Sequence, residues 1–183
     1  MPRFAGLVCV LSAPFALALT SAASAQMSVT TIGATDAVSC YENARNDFSR
    51  DSDPCDKALK DNAMSRADRK KTLVNRGIIY NRTGEVGAAI DDFNTALDLD
   101  GSLGEAYLNR GNSYYLMQRY DDALADYEQS LGFDLNKPWA AWYNIGLAYD
   151  AQKLPEKAKE AYQTALNLNP DFTQAQQKLE GRN

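Results

Sequence analysis

The sequence predicts an all-α protein of stacked antiparallel helix pairs, and three observations carry that expectation. Asn75, Arg76 and Gly77 return as Asn109, Arg110 and Gly111, then as Asn144, Ile145 and Gly146, so the three glycines stand 34 and 35 residues apart. Each glycine brings the same companions: an aromatic three residues on (Tyr80, Tyr114, Tyr149), a small residue twelve on (Ala89, Ala123, Ala158), a ring four later (Phe93, Tyr127, Tyr162) and a further small residue (Ala96, Ser130, Ala165). Within a copy, apolar residues recur three and four apart, as in Tyr107, Leu108, Gly111, Tyr114 and Tyr115 and then Ala123, Leu124, Tyr127 and Leu131. That is helical spacing.

A motif that returns at a fixed interval is architecture. Each copy reads as two amphipathic helices joined by a short turn, which Gly84 supplies in the first copy. Small residues such as Gly111 and Ala123 let the paired backbones approach, and the aromatics fill the space between neighbouring pairs. Pro155 suits a helix first turn, where its missing N–H has no partner to lose. A lone pair cannot bury its apolar face, so consecutive copies must stack.

These residues resemble the tetratricopeptide repeat, whose W-x2-L-G-x2-Y, A-x3-F and closing P recur every 34 residues. The third copy follows that pattern furthest, with Trp142, Ile145, Gly146, Tyr149, Ala158, Tyr162, Ala165 and Pro170. The resemblance runs from about Lys70 to Phe172 and implies a right-handed superhelical solenoid with repeats at 70–103, 104–138 and 139–172. Arg76 and Arg110 stand where the family prefers leucine, and Gly101 and Leu135 where it closes on proline. The turns after the first two repeats are therefore open to a different angle. Beyond Pro170, Phe172, Ala175 and Leu179 give residues 173–183 a single apolar stripe, as a capping helix requires.

The N-terminal part differs. Residues 1–25 have one early charge, Arg3, an apolar run from Phe4 to Leu19 and the triplet Ala23, Ser24, Ala25. That is the order of a secretory signal peptide cleaved after Ala25, with a short membrane anchor as the alternative. Residues 26–35 show no helical period and read as a flexible leader. Residues 36–69 keep the two-helix rhythm without the glycine. If Cys55 replaces Phe93 and Ala58 replaces Ala96, the segment is a degenerate repeat, followed by a polar linker from Ser65 to Lys71. In an oxidising compartment, reached by secretion, Cys40 and Cys55 read as a disulfide. A redox or metal pair is the competing reading, against which stand the wide spacing and the lack of histidine. A loop of this size closed by a bond is worth about 3 kcal/mol in the chain-entropy picture.

Chemistry is scarce. No histidine means no imidazole shuttle and no His-ligated metal, and the phosphate-binding and nucleophile-elbow motifs are absent. No enzyme activity, cofactor or metal is expected. The net charge of −5, which deepens on loss of Arg3, opposes nucleic-acid binding, and no second apolar run is long enough for stable membrane insertion. The pairs Asp91–Asp92 and Asp121–Asp122 read as a solvated outer face.

What remains is the inner groove that the family lines with first-helix residues. Carried onto this chain it comprises Asn75, Ile78, Asn81 and Arg82, then Leu108, Asn109, Asn112 and Tyr115, then Tyr143, Asn144 and Leu147. Asn75, Asn109 and Asn144 form a ladder that either holds the backbone of an extended segment or bonds to its own helix and to water. The family's carboxylate clamp is not reproduced in the register that uses Asn109, where Val74, Ile78, Ala140 and Asn144 replace its other members. The expected function is a protein- or peptide-binding scaffold of the periplasm or exterior, with a structural, homo-oligomerising envelope protein as the alternative.

Overall fold

The computed structural model describes residues 32–181, and among them every regular element is an α-helix. In chain order these are α1 (Ile32–Arg45), α2 (Asp53–Leu59), α3 (Arg66–Thr83), α4 (Val86–Leu99), α5 (Gly104–Leu116), α6 (Tyr120–Leu131), α7 (Pro138–Ala151), α8 (Pro155–Leu168) and α9 (Thr173–Glu180). The expected signal peptide and its cleavage point lie outside the described residues. Helix α3 packs on α4, α5 on α6 and α7 on α8, while successive pairs meet through α4 with α5 and α6 with α7. The first helices α3, α5 and α7 also adjoin one another, and α9 closes the last pair against α8.

The contact that makes each pair is the one between glycine and ring. A Cβ on Gly77 would stand 2.6 Å from the Phe93 ring, one on Gly111 2.7 Å from Tyr127, and one on Gly146 2.4 Å from Tyr162. The rings therefore lie against bare helix backbone and are sealed from water. Burying such a side chain contributes about 2 to 3 kcal/mol, so three of them supply much of the drive to pair.

The turn inside each repeat follows one geometry with different residues. Gly84, Gln118 and Lys153 occupy equivalent positions and all take positive φ, at 88°, 60° and 62°. Each turn is closed by the same backbone bond: Glu85 N–H to the Tyr80 carbonyl at 2.8 Å, Arg119 to Tyr114 at 2.9 Å and Leu154 to Tyr149 at 2.9 Å. Gly84 adopts this conformation freely, whereas Gln118 and Lys153 meet a steric cost of about 1 kcal/mol each.

Two boundaries differ from the sequence reading. Residues Ser65 to Lys71 are not a linker: Ser65 is the N-cap of α3, its Oγ accepting from Asp68 N–H at 3.0 Å and donating to the Asp68 carboxylate at 2.7 Å. The S-x-x-D spacing of a capping box was the signal for it. Helix α1 takes in Ile32 to Thr35, part of the stretch expected to be a flexible leader, since extending an existing helix needs no new nucleation.

The closing turns also divide unevenly. Asp100 and Asn169 leave α4 and α8 in the same extended conformation, φ −154° and −145°, despite Gly101 in the first repeat. The second repeat differs, since Leu135 is buried against the backbone of Gly104 and Phe133 stacks on Tyr107 at 5.6 Å. In the N-terminal pair, Cys40 and Cys55 are joined by a disulfide with Cα atoms 4.8 Å apart. Both sulfurs are buried with Ala44 and Ile79, where the other repeats place glycine and ring.

Two alanine substitutions separate close approach from helix propensity. Gly111→Ala drives a methyl group into the Tyr127 ring and should cost about 1 to 3 kcal/mol by chemical denaturation. Gly87→Ala, on the exposed side of α4 with open space around the new methyl, should instead add about 0.5 to 1 kcal/mol.

Candidate functional site

Because α3, α5 and α7 lie side by side, their residues at positions nine and twelve or thirteen of the repeat share one surface. They enclose a groove of about 410 Å³ lined by Ile78, Asn81, Arg82, Asn109, Asn112, Tyr115, Leu116, Tyr127, Asn144 and Leu147. Asn75, Leu108 and Tyr143, expected in the groove, do not line this cavity. Leu108 is half-buried and packs against the core cluster that contains Tyr127 and Ile145. Tyr143 lies on Tyr162 and edge-on to Phe172, at 5.5 and 5.2 Å, which ties α7 to the start of α9. Asn75 sits half-buried on α3, outside the lining. At position six the groove thus takes Asn109 and Asn144 but not Asn75, and at position five it takes neither Leu108 nor Tyr143. Tyr127, from a second helix, was not expected: its hydroxyl reaches the groove because Gly111 lets its ring pass.

The asparagines are joined to each other and to their helices. Asn112 Oδ1 accepts from the Tyr127 hydroxyl at 3.0 Å and from Asn144 Nδ2 at 2.8 Å. Asn81 Oδ1 accepts from Ser113 at 2.9 Å, and Asn81 Nδ2 donates to the Asn109 carbonyl at 3.4 Å. Asn109 Nδ2 donates to the Glu105 carbonyl of its own helix at 2.7 Å. Asn81, Asn112 and Asn144 thus bridge repeats, whereas Asn109 bonds within its helix. Asn112 has its oxygen doubly engaged, so its amino group has no protein partner among the described residues, and the same holds for the Oδ1 atoms of Asn109 and Asn144. Burial pushes the Tyr115 phenol above its ordinary range, with Tyr120, Asp150 and Tyr143 adding to the effect. Tyr115 therefore remains a hydrogen-bond donor at neutral pH.

Arg82 lines the groove but is already occupied. Its guanidinium donates to the carbonyls of Asn43 at 3.2 Å, Ala44 at 2.8 Å and Ser49 at 2.9 Å, which caps the C-terminal end of α1.

The two arginines that replace the family's leucine form one repeated device. Arg76 holds Asp92 with two hydrogen bonds, 2.8 and 2.7 Å, and reaches Asp56 of the preceding pair at 2.6 Å. Arg110 holds Asp126 at 2.8 and 2.8 Å and reaches Asn94 of the preceding pair at 2.7 Å. The bond to Asp92 raises the Arg76 guanidinium above its ordinary range, against the opposing effect of burial, and Asp126 does the same for Arg110. Asp92 is thus buried, which corrects the expectation of a solvated Asp91–Asp92 pair; Asp91, Asp121 and Asp122 are exposed. In the third repeat the same two positions are Ile145 and Ala161, both buried.

Among the described residues no group of three or more His, Cys, Asp or Glu is placed to hold a metal ion, and no helix is long and apolar enough to cross a membrane.

Helix pairs of one geometry, stacked in register with an open inner face, define a repeat solenoid. Profiles of the tetratricopeptide repeat match residues 71–102, 104–136 and 139–172, more than half of the chain, and the chain belongs to that family. Human tetratricopeptide repeat protein 13 is 31% identical over 112 residues, which span 61% of this chain and 13% of that protein. The crystal structure of MamA protein superposes with a TM-score of 0.62 at 24% identity, covering 82% of this chain and 80% of that one. The first repeat domain of Spaghetti (RPAP3) bound to the HSP90 peptide SRMEEVD has a TM-score of 0.58 at 24% identity, covering 62% and 91%. At these identities the two structures share the fold.

The Arg110–Asp126 pair makes a paired prediction. Asp126→Ala leaves a largely buried guanidinium without its carboxylate and should cost about 3 kcal/mol. Adding Arg110→Ile reproduces the third repeat's apolar pair, and the double variant should melt within about 1 kcal/mol of the wild type.

Proposed function

We propose that the chain is a non-catalytic scaffold that holds an extended segment of another protein in the groove of α3, α5 and α7. We place its work in the periplasm or outside the cell, the destination that the signal peptide expected at residues 1–25 would give, and one with which the Cys40–Cys55 bond is consistent. The observation that carries the binding reading is the mixture of open atoms along one strip. Asn112 offers N–H donors, Asn109 and Asn144 offer oxygen acceptors, and Ile78, Leu116 and Leu147 share the same lining. A peptide backbone presents acceptors and donors in alternation, and its side chains need apolar seats. The Spaghetti domain, which shares the fold, binds a peptide, and this lends further support.

Selection of a random dodecapeptide library on the wild-type chain supplies ligands for the test. Asn112→Asp keeps oxygens for Tyr127 and Asn144 but removes the groove donor, and Asn109→Ala removes an acceptor. Each lost bond should weaken selected peptides by about threefold to tenfold. The melting curve of Asn109→Ala should not move, because that amide bonds only within its own helix. Equal binding by both variants would place the site on another face.

Self-association is the second reading, favoured by Val38, Tyr41 and Phe48, which the N-terminal pair leaves exposed, Phe48 at 92%. Light scattering should then find an oligomer in the wild type that Phe48→Ser dissolves. A monomer at all concentrations rejects it.

A further inference from the structure

The N-terminal end of the groove rests on the least anchored element of the fold. Among the described side chains of α1, only Cys40 and Ala44 are buried. The other buried clusters, beneath α3 to α9, contain no residue of α1. The ties that hold α1 and its turn include the Cys40–Cys55 bond, the small contact of Cys40 and Ala44 with Ile79, the three carbonyl bonds from Arg82 and a bond from Arg50 to the Arg82 carbonyl. An element with so little burial opens at a smaller cost than the whole fold.

Arg82 connects that element to the groove, and it is the one charged residue among the groove's lining side chains. With α1 docked, its guanidinium is spent on the carbonyls of Asn43, Ala44 and Ser49, with the Asp47 carboxylate 3.8 Å away. All of these partners lie on α1 or on the turn that follows it, so undocking of α1 together with its turn withdraws them from Arg82.

We propose that Cys40 and Cys55 form a thiol–disulfide lock on the groove. In the disulfide state α1 is docked and Arg82 is masked. In the dithiol state α1 detaches and the Arg82 guanidinium becomes a free cation at the groove's end, which favours segments carrying a carboxylate. A dithiol reductant supplies the two electrons. After local opening exposes the buried sulfurs, one reductant thiolate attacks a cysteine sulfur and forms a mixed disulfide, and its second thiol then displaces that cysteine. The reductant leaves as a disulfide, and Cys40 and Cys55 each gain a proton.

The release changes Arg82 whether or not a segment occupies the groove, so it is tested without a ligand. The full chain is treated with phenylglyoxal, which modifies accessible arginines, with and without dithiothreitol, and amide exchange is followed by mass spectrometry. Reduction should raise Arg82 modification about tenfold relative to Arg119, and should speed exchange across residues 35–50 while residues 104–168 stay protected. The chain carrying Cys40→Ala and Cys55→Ala should behave the same way without reagent. Arg82 remaining shielded once mass spectrometry shows both thiols free would overturn the proposal. So would loss of protection at residues 104–168 in step with α1, or a double variant that does not fold, since either makes the bond a support of the entire fold.

Discussion

The structure depends on three positions that have no Cβ. At Gly77, Gly111 and Gly146 a methyl group would stand closer than 3.0 Å to an aromatic ring of the facing helix, so only a bare backbone admits the ring. That admission fixes the distance between paired helices and seals the rings. The pairing in turn turns the first helices toward one face and the second helices toward the other. Everything later in the fold inherits this spacing, including the groove, whose floor contains the Tyr127 hydroxyl only because its ring passes over Gly111. The N-terminal pair lacks both glycine and ring, and a covalent bond between Cys40 and Cys55 occupies their place.

Polar groups then join one repeat to the next. Arg76 and Arg110 each fork onto a buried aspartate of their own pair and extend a third bond to the pair before. Such forks add little net stability over an apolar pair, because desolvation offsets much of the attraction. Their geometric demand is strict, however, and misalignment of the stack would leave a charge unpaired. The asparagines work in the same direction on the inner face, since Asn144 reaches Asn112 and Ser113 reaches Asn81 across repeats. A groove built this way has its walls fixed before any ligand arrives, which reduces the ordering cost of binding.

The repeats were legible in the sequence because the features that build them are spaced along the chain and recur: glycine, small residue and ring return at every period. The αL turn was legible only at Gly84, since Gln118 and Lys153 bear the strain without any local sign. The capping box at Ser65 was present and overlooked, its polar composition suggesting a linker. The Arg–Asp forks were hidden for a different reason. Each partner sits sixteen residues away on the facing helix, and an aspartate beside another exposed aspartate looks solvated until the helix rotation is known. Even so, the chain held a clue, because both positions change together to Ile145 and Ala161 in the third copy. Within the groove, position along the helix located Ile78, Asn81, Arg82, Asn109, Asn112, Tyr115, Asn144 and Leu147. It could not show that Arg82 is claimed by α1, which lies outside the three repeats, or that Tyr143 is claimed by Tyr162 and Phe172, which the helix rotation brings to it.

One amide network both joins the repeats and presents the open atoms of the groove. Asn112 is where the two roles meet, with its oxygen committed to Tyr127 and Asn144 and its amino group open. The most direct measurement is the side-chain amide spectrum of the nitrogen-15-labelled chain during titration with a peptide that binds it. The Asn112 amino resonances should shift on binding, the Asn144 amino resonances should move far less, and helices α4, α6 and α8 should stay unperturbed on their outer faces. Saturation of the peptide with the Asn112 resonances unmoved and the outer faces shifted would contradict that dual role.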